Sequence, residues 1–213
     1  MVRSSVRRQK MRLVFIGPQG SGKGTQAQIV SEVLNVPHIS TGDLLRNAEG
    51  ELKKQIDSYI NQGQLIPDEL MIKILKERIS NKDCKKGFIL DGFPRNLNQA
   101  DELEKGIEID KYFEIFITDE EAVKRLSGRW NCRNCNIAYN AVTFPKPKVP
   151  GKCDKCNSDL YQREDDKEDA IRKRLEIYHN ETEPILEKYD IIRINGKQKI
   201  EKVTHDIIEQ LDN

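Results

Sequence analysis

Nine residues, Gly17-Pro18-Gln19-Gly20-Ser21-Gly22-Lys23-Gly24-Thr25, have the composition needed to hold a polyphosphate. Phosphate oxygens demand many donors in a small space, more than side chains can crowd around them. Glycines let successive backbone N–H groups turn inward, and a helix starting at the end of the loop adds its partial positive charge. Lys23 then supplies a mobile full charge to the β and γ phosphates. The pattern Gly-x-x-x-x-Gly-Lys is complete. Gly24 occupies the usual Ser/Thr place and Thr25 follows, a departure at the residue that would reach Mg²⁺.

A second constellation is cationic. Ser40-Thr41-Gly42-Asp43-Leu44-Leu45-Arg46 and Asp91-Gly92-Phe93-Pro94-Arg95 each end in an arginine, and Arg125, Arg129, Arg163 and Arg174 follow along the chain. A guanidinium fork binds phosphate oxygens two at a time, which an ammonium cannot do. A phosphoryl group in flight spreads charge over its equatorial oxygens, so its transfer needs positioning and charge stabilisation more than covalent help. No His, Cys or Ser stands out as a nucleophile: His38, His179 and His205 are scattered, and Cys84 reads as a small packed thiol. Direct in-line transfer is therefore expected.

The third constellation is Cys132-x₂-Cys135-x₁₇-Cys153-x₂-Cys156. Each Cys-x-x-Cys turn presents two thiolates together, and four of them close a tetrahedral site with no position left for water. The metal expected there is structural Zn²⁺; iron or two disulfides are the alternatives. Without a secretory leader, reduced thiols and a cytoplasmic setting are expected.

Short apolar runs must position these groups: Met11 to Ile16, Val36 to Ile39, Gly87 to Leu90, Tyr112 to Ile117 and Ile191 to Ile194. Segments of helical spacing lie between them, including Gln26 to Leu34, and strands alternating with helices predict a parallel sheet covered on both faces. The phosphate loop follows the first strand, and the two arginine segments follow the second and third, where open α/β sheets bind ligands. Asn131 to Tyr161 breaks the rhythm and reads as an inserted module. After it, Asp165 or Asp166 is expected to cap a helix with Glu168 and Asp169 in its first turn. Residues 1–10 carry Arg3, Arg7, Arg8 and Lys10 with no acid and read as a loose basic extension.

The 213 residues suffice for one good core. Lys plus Arg number 36 against 35 acids, so no global positive field would hold nucleic acid, which weighs against a P-loop switch reading nucleic acid through its cysteine module. The longest apolar run is far too short to span a membrane.

Taken together, the loop Gly17 to Thr25, the two arginine segments and the cysteine module closely resemble the adenylate kinase family of nucleoside monophosphate kinases, from Met11 to about Leu211. The resemblance implies a P-loop three-layer α/β/α fold with a five-stranded parallel sheet. Its core would span residues 11–39, 68–128 and 165–213, with an acceptor-binding insertion at 40–67 and a zinc-bearing lid at 129–164. It implies Mg²⁺-dependent transfer from ATP to AMP giving two ADP, by a monomer. A UMP/CMP kinase or a GTP:AMP phosphotransferase is the alternative. Residue by residue, it places Gly17, Gly20, Ser21, Gly22, Lys23, Gly24 and Thr25 on the donor phosphates. Arg125 and Arg129 would bracket the donor, with Gln198 at its adenine. Arg46 and Arg95 fall to the acceptor phosphate, and Thr41 and Gln99 to its adenine. Gln64, Ile66 and Gly92 also line the AMP site. Asp91 would hold the water shell of Mg²⁺. Arg163 and Arg174 would close on the transferring group and touch AMP. The catalytic set is thus Lys23, Asp91, Arg95, Arg129, Arg163 and Arg174.

Overall fold

The computed structural model describes residues 10–61, 66–135 and 137–212. Apart from Lys10, the basic extension expected over 1–10 lies outside the described residues, as does Gln64.

The chain begins with β1 (Met11–Ile16), α1 (Lys23–Leu34), β2 (His38–Ser40), α2 (Thr41–Arg46), α3 (Gly50–Asn61), α4 (Asp68–Ile79) and β3 (Gly87–Asp91). It continues through α5 (Leu97–Glu104), β4 (Lys111–Phe116) and α6 (Asp119–Ser127) into β5 (Arg129–Cys132), β6 (Ala138–Asn140) and β7 (Leu160–Tyr161). It closes with α7 (Glu168–Ile177), β8 (Ile191–Asn195) and α8 (Ile200–Asp212). The central sheet is five-stranded and parallel, in the order β2-β3-β1-β4-β8.

Strand β1 shows why the sheet is covered on both faces. Leu13 and Phe15 point into a cluster with Ala27 and Val30 of α1 and Val203, Ile207 and Leu211 of α8. Val14 and Ile16 point the other way, into Ile56 of α3, Met71, Ile72 and Leu75 of α4, and Leu103 of α5. Strand side chains alternate with period two, so a strand sandwiched between helices must be apolar throughout, and Leu13 to Ile16 are all buried. The three-layer α/β/α fold follows directly.

Each apolar run became a strand, β1 with unchanged ends and the others with ends moved by at most two residues. The largest shift is at β2, which starts at His38 rather than Val36. Val36 donates its N–H to Ser31 O to close α1, and Pro37 has no N–H, offering only its carbonyl to Ile89 N at 2.9 Å.

The cysteine module holds structure that the sequence did not announce: β6, β5 and β7 form an antiparallel sheet in that order. Its small core is Cys132, Tyr139, Cys153 and Leu160. The expected aspartate cap does not form. Helix α7 begins after Lys167 with no capping side chain, and Asp166 turns inward, its side chain 0% exposed. A cap is worth about 1 kcal/mol, less than the penalty of leaving a buried cation unpaired, and Arg129 claims Asp166 instead. Glu168 and Asp169 occupy the first turn as expected. No helix among the described residues is long and apolar enough to cross a membrane.

Candidate functional site

Strand β1 lies at the centre, with β3 on one side and β4 on the other, so the chain direction of winding reverses at its carboxyl end. Open sheets leave a crevice at such a point, and the loop Gly17 to Gly22 occupies it. A Cβ on Gly17 would stand 2.3 Å from the carbonyl oxygen of Ile115, so only glycine lets the loop press against β4. Gly22 at φ +95° is the N-cap of α1, and the helix starts at Lys23, inside the motif rather than at Gln26. Ser21 is buried, and its Oγ accepts the Lys23 N–H at 3.4 Å. Thr25, next on α1, is exposed.

Lys23 Nζ donates to Pro18 O at 3.2 Å. Burial lowers its pKa to about 8, with Arg95, Arg174 and Arg129 pushing the same way against the pull of Asp91. An unfolded lysine keeps its proton to about 10.5. Between those values the unfolded chain binds more protons, so stability rises with pH across that window. Polyphosphate charge would restore the proton. Nucleotide binding is therefore expected to take up close to one proton at about pH 9 and almost none at about pH 7. Calorimetry in buffers of different ionisation enthalpy measures this, and uptake that persists in Lys23→Met would reject the assignment.

Asp91 ends β3. Burial opposes its charge, but hydrogen bonding from His38 and the charges of Lys23 and Arg95 hold the carboxyl below the ordinary range. The contact is His38 Nε2 to Asp91 Oδ2 at 3.3 Å. A Cβ on Gly24 would come 3.0 Å from the same oxygen, so glycine in the usual Ser/Thr place keeps that side of Asp91 open. His38 was given no chemistry from sequence. Register was the missing signal: β2 pairs with β3 with Ser40 opposite Asp91, which puts His38 at this edge.

The second arm comes from α2, α5 and the β3–α5 turn. Ser40 Oγ caps α2 by accepting Asp43 N–H. Arg46 Nη2 donates to Asp43 Oδ1 at 2.6 Å, and Arg95 Nε donates to Gly92 O at 2.8 Å. Thr41 is buried, its hydroxyl donating to Gly92 O at 2.8 Å. Gln99 is buried beside Arg95. Ile66 is half-buried and packs on the core cluster beside α4.

The third arm flanks the cysteine module. Arg129 Nε and Nη2 donate to Asp166 Oδ2 and Oδ1 at 2.8 and 2.5 Å. Arg174 Nη1 reaches Asp165 O at 2.9 Å and lies 3.6 Å from Asp166 Oδ1. Burial, with neighbouring cations, lowers the pKa of Arg163 and Arg174. The Arg163 Nε is buried with no hydrogen-bond partner among the described residues. Arg125 Nη1 reaches Ser21 O at 3.4 Å, tying α6 to the phosphate loop. Gln198 donates to Asn195 O and Asp206, in a turn whose Gly196 lies against Ser21 O. Lys23 thus sits among Asp91, Arg95, Arg129 and Arg174, and Arg163 beside Arg129 and Arg46. Asp166, which gathers Arg129 and Arg174, was missed as a functional residue.

The four module cysteines bring their sulfurs within 4.8 Å of one another, with Cys132 and Cys156 3.4 Å apart. Four sulfurs at about 2.3 Å from one zinc would be roughly 3.8 Å apart, so the arrangement fits the ion.

Among known proteins, the family model described as Adenylate kinase matches residues 15–194. Similar proteins named Adenylate kinase include one from Caldicellulosiruptor bescii, 44% identical over 94% of this chain and 99% of that one. Another, from Acetivibrio thermocellus, is 45% identical over 94% and 98%. A third, from Archaeoglobus fulgidus, is 46% identical over 92% and 96%.

Proposed function

The chain belongs to the adenylate kinase family, and on that premise we propose how its cleft performs the family's reaction. The reaction is phosphoryl transfer between ATP and AMP, giving two ADP. The loop Gly17 to Thr25 cradles the ATP phosphates, and Lys23 follows the transferring group. Arg46 and Arg95 hold the AMP phosphate on the other side. Arg129, Arg163 and Arg174 converge on the oxygens between them, where charge develops in the transition state. Arg125 and Gln198, both against the phosphate loop, suit the donor end. Asp91, with the space kept by Gly24, would hold the water shell of an Mg²⁺ bound with ATP, which would supply neutralisation of phosphate charge.

The mutual influence of the cations carries this reading: Arg95, Arg129 and Arg174 act on Lys23, and Arg129 and Arg46 act on Arg163. So much positive charge gathered in one cleft is unfavourable without anionic ligands on both sides. Thr41 supports AMP as acceptor: its hydroxyl proton is committed to Gly92 O, so toward a base it only accepts, which suits an amino group and not a carbonyl. Coupled assay of ADP from ATP plus AMP, against ATP plus UMP, tests the pairing. No ADP from the first pair would end the reading.

Segments 40–67 and 129–164 serve as acceptor-binding arm and lid on a core formed by the rest. Residues 129–164 carry Arg129 and Arg163 at their two ends, so closure brings both to the phosphates and excludes competing water. Cys132, Cys135, Cys153 and Cys156 would hold Zn²⁺, which fixes a module whose own core is small. Two Cys-x-x-Cys pairs kept as thiols suit a cytoplasmic enzyme, and a monomer rests on the family resemblance alone. Chelating the metal is expected to lower the melting temperature, with re-addition of Zn²⁺ restoring it. An unchanged melt, with metal loss verified by elemental analysis, would remove the structural role.

A further inference from the structure

Gln99 is only 6% exposed, and both ends of its side-chain amide are bonded to protein. Nε2 donates to Asp68 Oδ1 at 2.6 Å, and Oε1 accepts the Arg95 backbone N–H at 2.9 Å. A carboxylate only accepts and a backbone N–H only donates, so these neighbours dictate which end of the amide is nitrogen. Shape alone would not, because the two ends are nearly the same size. Inverting the amide would set Oε1 against the carboxylate and the NH₂ against an N–H, losing both bonds together.

Asp68 is itself clamped. Asn96 Nδ2 donates to its two oxygens at 3.2 and 3.1 Å, and Asn98 Nδ2 donates at 2.9 Å. Asn96 also caps α5 by accepting the Gln99 N–H at 2.8 Å. The carboxylate at the start of α4 is therefore fixed to the first turn of α5, the turn that carries Gln99.

Handedness matters because of what the amide has left: one N–H on Nε2 and one lone pair on Oε1. A purine with an amino group at C6 and a bare N1 offers the matching donor and acceptor. A purine with a carbonyl at C6 and a proton on N1 offers the reverse, which fits only the inverted amide. We infer that Asp68 determines acceptor specificity: by fixing the orientation of the Gln99 amide, it makes the site read a 6-amino purine and reject a 6-oxo purine. The inference rests on the reading that Gln99 faces the acceptor base. Asp68 touches no nucleotide and acts as a positioning residue.

The test compares kcat/KM for AMP and for inosine monophosphate, with ATP as donor, in wild type, Asp68→Asn and Gln99→Leu. Inosine monophosphate differs from AMP only in its 6-oxo group and N1 proton. Asparagine keeps the shape of aspartate and offers either oxygen or NH₂, so Asp68→Asn no longer selects between the orientations of Gln99 and leaves only the Arg95 N–H favouring the original one. The preference for AMP is expected to fall by about tenfold or more in Asp68→Asn, through a higher KM for AMP and a lower one for inosine monophosphate, with the KM for ATP unchanged. If Asp68→Asn does not fold, Asp68→Ser asks the same question, since a hydroxyl both donates and accepts and serves a helix start well. A purely structural role would weaken both acceptors alike and keep their ratio, which overturns the inference. If Gln99→Leu loses the preference while the Asp68 variants keep it, the reading of Gln99 stands and the inference falls. If Gln99→Leu keeps the preference, Gln99 does not read the base, and both fall.

Discussion

Lys23→Met is expected to lower kcat by about 10³-fold or more, the scale on which a single cation aimed at a transferring phosphoryl group acts, while the protein melts at the same temperature or higher. The two halves of the result come from one cause. Lys23 is half-buried and feels the charges of Arg95, Arg129 and Arg174, with Asp91 as the opposing charge, and its proton is held weakly, down to about 8. The resting protein therefore bears a repulsion that only anionic phosphate relieves. Methionine keeps the apolar stem, removes the charge and relieves that repulsion, but leaves the γ-phosphate without its mobile partner. Lys23→Arg should not rescue, because a planar fork on a shorter stem cannot follow the group through the glycine loop as an ammonium does. Coupled assay and thermal melting, run together, separate this from misfolding. A variant that keeps a tenth or more of wild-type kcat, by the tenfold-per-1.4 kcal/mol scale, would show that Lys23 is not the charge that follows the phosphoryl group.

Much of this site was legible in the sequence because its logic is local. The phosphate loop is contiguous, and its glycines, its lysine and the strand before it are read in one window; Gly17 to Lys23 sit where that window put them. The segments that end in Arg46 and Arg95 were placed after strands by the sequence, and the pairing of β2 with β3 puts both at the same crevice. The cysteine spacing was likewise readable, and the four sulfurs do converge. What escaped were groups whose meaning depends on partners far along the chain. Asp166 looked like a helix cap because its sequence neighbours are a helix start; its partner Arg129 lies 37 residues earlier. His38 looked idle because its partner Asp91 lies 53 residues away across a strand pair. Asp68 drew no reading from the sequence, and only the docking of α4 on α5 shows its use. The module's strands, of two to four residues, are too short for any periodicity to register.

Asp166→Asn is expected to cost about 10²-fold in kcat, comparable to loss of one preorganised donor, together with about 3 kcal/mol or more of stability. Its side chain is 0% exposed, holds both nitrogens of the Arg129 fork and lies 3.6 Å from Arg174. Asparagine has the same shape but only one accepting oxygen, and its NH₂ would meet a guanidinium N–H. Two partly buried cations are then left without their shared anion. They repel, and each gives up the fixed position from which it would meet the phosphoryl oxygens. A simple cap at the same place would behave otherwise, costing about 1 kcal/mol and nothing in kcat. Arg129 starts β5 and Asp166 ends the turn that follows β7, so the pair also staples the two ends of the cysteine module together. Loss of the staple should loosen the segment as well as the arginines, and protection of the β5 amides from hydrogen exchange should fall with kcat. Asp166→Glu, which restores the charge on a longer stem, should recover stability more fully than rate, because pairing tolerates displacement and transition-state geometry does not. Equal recovery of both, or an Asn variant with wild-type kcat, would reduce Asp166 to packing and leave the arginines to be positioned by something else.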